Sequence, residues 1–115
     1  MAGILSRLLG RAAAEPSWVE VAGLRQLLAS EKPPLVLDVR EPDEFEGPFG
    51  HIDGALNVPL PEVPARQREI AAAGKAVVCV CLTDKRSAAA AGQLAAAGLS
   101  EVTVLRGGMK AWRER

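Results

Sequence analysis

Two short segments are apolar at nearly every position instead of at every second one, Leu35-Val36-Leu37-Asp38-Val39 and Ala76-Val77-Val78-Cys79-Val80, and Glu101-Val102-Thr103-Val104-Leu105 reads as a third strand. A strand with one wet face alternates, whereas a strand that is apolar throughout is covered on both faces, as in parallel sheets. Helical stretches separate these runs. Val21 to Ala29 carries Val21, Leu24, Leu27 and Leu28 on one face, and Glu62 to Ala73 stops at Gly74. Ser87 to Ala97 is alanine-rich and closes at Gly98, and its small residues suit close packing on a sheet. Trp18-Val19 reads as a short edge strand, Ala55 to Val58 as another, and Pro42 opens a short helix that reaches Phe45. Gly107-Gly108 turns the chain into a last short helix with Met109 and Trp112. Trp18, Phe45, Met109 and Trp112 read as core or core-rim residues. Strands alternating with helices predict an α/β fold, a small parallel sheet flanked by helices on both faces.

One domain accounts for 115 residues, and such a chain builds a core without disulfide staples. The break at Glu15-Pro16-Ser17 places that domain at residues 16–115, with residues 1–15 as an N-terminal tail or short amphipathic helix carrying Ile4, Leu5, Leu8 and Leu9 at helical spacing. Arg7 interrupts what would be the apolar centre of a signal peptide, and no apolar run is long enough to span a membrane. Lys+Arg and Asp+Glu are balanced at 14 each, which argues against a nucleic-acid partner. Two cysteines one residue apart make no disulfide framework and suit a reducing, cytoplasmic location. A single histidine supports neither a His-rich metal site nor a zinc finger.

Ligands of open α/β sheets bind beyond the carboxyl ends of the strands. Asp38-Val39-Arg40, Cys81 to Arg86 and Arg106-Gly107-Gly108 each stand at such an end, and Cys81 is the one strong nucleophile among them. Backbone N–H groups and the dipole of the following helix stabilise a thiolate there, which is the reactive form. The N–H groups of Leu82, Thr83, Asp84, Lys85 and Arg86 are candidates to hold an anionic substrate. Arg86 offers a planar, charge-assisted grip on an oxyanion, and Lys85 adds charge, whereas Asp84 opposes anion binding. The plainer alternative is a buried strand cysteine followed by solvated surface cations. Ser87 supports the helix start. Asp38 and Arg40 share a face, placed either to pair with each other or to brace the cysteine loop, a structural role in both cases. Cys79, inside the apolar run, reads as structural, and a bond to Cys81 would be strained. His51 is the imidazole a Cys–His hydrolase would have to use, but Gly50, Ile52 and Gly54 around it suggest that it holds a loop.

The ordered set of motifs resembles the single-domain rhodanese-like sulfurtransferases over about Trp18 to Arg113. Asp38-Val39-Arg40-Glu41-Pro42-Asp43-Glu44-Phe45 and Gly50-His51-Ile52-Asp53-Gly54-Ala55-Leu56-Asn57-Val58-Pro59 are similar to that family's D-V-R-x-x-x-E-F and G-H-I-x-G-A-x-N-x-P segments. Cys81-Leu82-Thr83-Asp84-Lys85-Arg86-Ser87 resembles the C-x-x-G-x-R-S loop, and Val104 to Trp112 the terminal V-L-x-G-G-M-x-x-W. Two places depart from the pattern. Asp84 stands at the usual glycine, which bears on the loop's backbone and its anion affinity, and Gly47-Pro48-Phe49 lengthens the segment before Gly50.

The resemblance implies a rhodanese-like fold and a persulfide mechanism. Cys81 would take a sulfane sulfur from thiosulfate or another small anionic donor and pass it to cyanide, a thiol or a protein acceptor, without a cofactor. A non-catalytic or weakly active module for sulfur relay or partner binding is the alternative. A cysteine-dependent phosphatase or arsenate reductase is a further rival. Phosphatase chemistry of that kind uses C-x5-R, and Cys81 to Arg86 is C-x4-R, a smaller cradle.

Overall fold

The structure is a computed structural model, and it describes residues 16–115. The tail or amphipathic helix expected over residues 1–15 lies outside the described residues. The elements follow in the order β1 (Ser17–Val19), α1 (Val21–Leu28), β2 (Leu35–Asp38), α2 (Pro42–Phe45), β3 (Leu56–Asn57), a 3-10 turn (Leu60–Glu62), α3 (Val63–Ala72), β4 (Val77–Val80), α4 (Lys85–Ala96), β5 (Val102–Leu105) and α5 (Gly108–Glu114). The strands form one five-stranded sheet in the order β1-β5-β4-β2-β3, parallel at every pairing. The expected α/β architecture is therefore the one observed.

β4 occupies the middle of that sheet, with Cys79 opposite Leu37 of β2 and Val104 of β5. A central strand of a parallel sheet has no wet face, and all four residues of β4 are buried. The period of two divides its side chains between two cores. Val77, Cys79 and, just past the strand, Cys81 face α3 and α4, where Val63, Ile70, Ala90, Ala91 and Leu94 pack. Val78 and Val80 face α1 and α5, against Val21, Leu24, Met109 and Trp112. Each fully buried Leu or Val contributes roughly 1.5–3 kcal/mol of transfer free energy. The small residues of α4, Ala90 and Ala91 at 0% exposure, let its axis come close to the sheet.

Three expectations change in detail. The helix predicted from Ser87 begins two residues earlier, at Lys85, because the Asp84 carbonyl already accepts from Ala88 N–H at 2.9 Å. Leu27 is 42% exposed, since a step of three residues from Leu24 carries it off the stripe that Val21, Leu24 and Leu28 share. Trp18 is 40% exposed on the edge strand, with the Arg106 guanidinium 4.7 Å from its ring centre instead of core around it. Met109 and Trp112 are core residues, and Phe45 is half-buried.

Candidate active site

Cys81 follows β4 directly, and its sulfur lies over the first turn of α4. Its side chain belongs to the α4 face because Cys81 is two residues beyond Cys79. Ser87 N–H is directed at Sγ at 3.4 Å, and Ser87 Oγ is 3.3 Å from the same sulfur. Ser87 Oγ also donates to the Asp84 carbonyl at 3.2 Å, which fixes the hydroxyl beside the thiol. Ser87 is fully buried and Cys81 is 1% exposed. The backbone donor facing the sulfur is thus that of Ser87, one residue beyond the Leu82–Arg86 stretch. The geometry follows from the early helix start, which turns the N–H groups of the first turn toward the end of β4.

The loop between Cys81 and α4 is held from behind by α5. Met109 N–H donates to the Cys81 carbonyl at 2.9 Å and Lys110 N–H to that of Leu82 at 3.0 Å. These are two donors that a helix start leaves unpaired, used here to pin a loop. Such an approach needs glycine at the turn. Gly108 has φ +56°, and a Cβ there would run into the main chain of Cys81, Leu82 and Thr83. The Gly107-Gly108 turn therefore belongs to the site through its backbone. Arg106, expected on the same rim, pairs instead with Glu20 at 2.8 Å and leans over Trp18.

Asp84 does not need the conformational freedom of the glycine it replaces. It lies at φ −152° and ψ 0°, and among the described residues no residue other than glycine has positive φ. Its carboxylate makes no capping bond to the helix it precedes. Thr83 and Lys85 are exposed, and Leu82 and Asp84 half-buried.

Arg86 is not free. Its two terminal nitrogens donate to the two carboxylate oxygens of Glu44 at 2.6 and 2.9 Å, a bidentate pair in which each side chain is about one-third exposed (35% and 33%). The Arg86 hydrogen bond holds the Glu44 carboxyl at about 2, well below the usual carboxylate range, against a smaller opposing effect of burial. Glu44 in turn raises Arg86, and the neighbouring Cys81 and Asp38 charges act on it in the same sense.

Glu44 owes its place to Arg40. The Arg40 guanidinium bonds Asp38 through Nε (2.9 Å) and one terminal nitrogen (2.7 Å), the Glu44 carbonyl at 3.1 Å and the Gly50 carbonyl at 2.7 Å. Asn57 closes the same knot by donating to the carbonyls of Asp38 and Arg40. Of the two roles expected of Asp38 and Arg40, the structure shows mutual pairing, a fully buried ion pair that seats α2 through the Glu44 carbonyl. His51 Nδ1–H donates to the Phe45 carbonyl, 2.9 Å away, and the ring stacks on Phe45 at 3.6 Å, a loop-holding position.

Glu44 is the residue that sequence reasoning passed over. Its fixed offset of four from Arg40 within Asp38 to Phe45 was a signal, but its partner lies 42 residues away. Cys79 stays within the core, where burial, and then the nearby Cys81, push its thiol up to about 12. Both cysteines are free thiols. Among the described residues no three His, Cys, Asp or Glu side chains stand together as a metal site. A cavity of about 770 Å³ opens at the opposite rim, lined by Arg25, Val36, His51, Lys75 and Trp112 among others. Neither cysteine lines it, so chemistry rather than concavity locates the candidate site.

Comparison with known proteins bears on the family and the fold. The rhodanese-like domain family matches residues 20–115. Uncharacterized protein YqhL of Bacillus subtilis is 46% identical over 77 residues, covering 67% of this chain and 59% of that protein. A sulfurtransferase of Allochromatium vinosum is 35% identical over 94 residues, covering 82% of this chain and 85% of the other. The human single-domain sulfurtransferase TSTD1 superposes with a TM-score of 0.72 at 27% identity, covering 85% of this chain and 96% of that one. The chain spans 59% and 48% of the length of the first two curated relatives it matches. Among the described residues no helix is long and apolar enough to cross a membrane.

Proposed function

The chain belongs to the rhodanese-like domain family, whose members include sulfurtransferases, and from that premise we propose that it transfers sulfane sulfur through a persulfide on Cys81. The observation that carries the reading is the Cys81 sulfur at the start of α4, with Ser87 N–H directed at it from 3.4 Å.

In the first half-reaction the Cys81 thiolate attacks the outer sulfur of a donor such as thiosulfate. A new S–S bond forms, the donor's S–S bond breaks, and sulfite leaves with the bonding pair. In the second, cyanide or an acceptor thiolate attacks the outer sulfur of the persulfide, and the Cys81 thiolate is regenerated. No oxidant enters, and ping-pong kinetics follow from the two steps. The N–H of Ser87 and the loop amides of Leu82 to Arg86 are the donors available to the transferring sulfur. Asp38 and Arg40 act at a distance, by seating α2. Two free thiols and a persulfide intermediate suit a reducing, cytoplasmic setting. A phosphatase reading fits less well, because four residues between Cys81 and Arg86 make a small cradle for a tetrahedral phosphoryl group.

Intact mass spectrometry tests the proposal. After incubation with thiosulfate or a small organic persulfide, the wild-type protein gains one sulfur, and cyanide removes it. Cys81→Ala gains none, and Cys79→Ala loads as the wild type does. A wild-type protein that loads from neither donor ends the sulfurtransferase reading. Loading of Cys81→Ala moves the site elsewhere.

A further inference from the structure

The charges around the Cys81 loop do not make a strong anion site. Lys85 and Arg86 are matched by Asp84, within the loop, and by Glu44, which occupies the terminal nitrogens of Arg86 bidentately. Thiosulfate brings two negative charges to a thiolate, and sulfite leaves with two. A persulfide R–S–SH of an uncharged thiol brings at most one. Charge repulsion scales with the product of the charges, so a carboxylate seated on the loop's own arginine penalises an arriving dianion about twice as much as a monoanion.

We infer that Glu44 is a specificity-determining residue: by occupying Arg86 it turns the Cys81 site away from dianionic donors and toward persulfides that carry at most one charge. The inference rests on the sulfurtransferase reading and names the donor class of that same site. With such a donor the Cys81 thiolate attacks the outer sulfur, the Cys81–sulfur bond forms and the donor S–S bond breaks. The thiolate R–S⁻ leaves, and the proton stays on the transferred sulfur. Glu44 is suited to the role by its mounting. Arg40 fixes its backbone carbonyl at 3.1 Å from within the fold, and the Glu41–Glu44 capping box fixes its helix. Its side chain meets Arg86 about one-third exposed, where a donor can compete for the same guanidinium. Asp84 adds a second carboxylate whose charge no capping bond absorbs.

The test measures kcat/KM for Cys81 loading from thiosulfate and from 2-hydroxyethyl persulfide, at low ionic strength, in wild type, Glu44→Gln, Glu44→Asp and Asp84→Asn. Glu44→Gln is expected to raise the thiosulfate value about five- to tenfold, through KM, and the persulfide value by at most about two- to threefold, the square root of that factor. Glu44→Asp keeps the charge and stays within about twofold of the wild-type donor ratio. Asp84→Asn shifts the ratio the same way by a smaller factor. Equal effects of Glu44→Gln on both donors, or a Glu44→Asp effect as large as that of Glu44→Gln, would make Glu44 a scaffold residue and overturn the inference. If Glu44→Gln does not fold, Asp84→Asn decides, and an unchanged ratio there overturns it as well. Absence of loading from both donors in the wild type is a different failure, that of the sulfurtransferase reading itself.

Discussion

Two guanidinium–carboxylate pairs stand on the same rim of the sheet and are built for different ends. Asp38 and Arg40, at the end of β2, are both 1% exposed, and every nitrogen of Arg40 is spent on Asp38, Glu44 or Gly50. Glu44 and Arg86 are each about one-third exposed, and among the described residues the one further hydrogen bond to either side chain comes from Glu41 N–H, which donates to the Glu44 carboxylate. A saturated, dry pair cannot take a ligand without being dismantled. A half-wet pair can exchange one partner for another. The chemical groups are alike, so burial and saturation are what separate scaffold from site. The two are also coupled, since Arg40 holds the helix from which Glu44 reaches Arg86.

The hardest way to break this comparison is to remove the buried cation. Arg40→Ala strands the Asp38 carboxylate in the interior, along with the carbonyls of Glu44 and Gly50. An uncompensated buried charge of this kind costs about 3–5 kcal/mol. Urea unfolding is expected to show a loss of that size. Arg86→Ala, at the exposed pair, is expected to cost about 1 kcal/mol or less. Equal losses at the two positions would erase the distinction between a structural and an exchangeable pair.

That distinction was only partly open to sequence reasoning. The unbroken apolar runs of β2 and β4 specified a doubly covered parallel sheet, and the rim position of Cys81 followed from the end of its run. Asp38 and Arg40 were legible as a structural pair because two residues on one face of a strand end are neighbours. The Glu44–Arg86 pair was not legible, because it joins elements that meet only after β2 and β4 have paired. The start of α4 was misplaced for a local reason. Lys85 and Arg86 read as loop cations, and nothing in their chemistry says that the Asp84 carbonyl already receives the bond from Ala88. Trp18 reads as core or core-rim, but β1 is an edge strand and the sheet offers nothing beyond it.

Acid sharpens the comparison next. The folded Glu44 carboxyl is depressed from 4.5 to about 2 by Arg86. A depressed folded value means stabilisation that is fully present above the unfolded carboxyl's range and is lost as pH falls through about 2. The pair is half-wet, so solvent screening limits its contribution to about 1 kcal/mol or less. The stability gap between wild type and Glu44→Gln, measured by urea unfolding, is therefore expected to be constant from pH 8 to 5 and to narrow below the ordinary carboxylate range. A gap that stays constant down to pH 3 would mean that the charge of Glu44 contributes nothing to holding α2 against the loop.

The smallest expected effect is at Asp84. Restoring the glycine of the family pattern, Asp84→Gly, removes a carboxylate that makes no capping bond from a residue at φ −152°, where a side chain carries no strain. The substitution relieves nothing and adds backbone freedom to the unfolded chain, so it is expected to destabilise by about 0.5 kcal/mol. Thermal unfolding would place the variant within a few degrees of wild type. A loss above about 1.5 kcal/mol would show that the Asp84 side chain supports the loop in its own right. The near-neutral result would instead assign its charge to what the loop accepts, because a carboxylate that contributes little to folding still repels an anion arriving at Cys81.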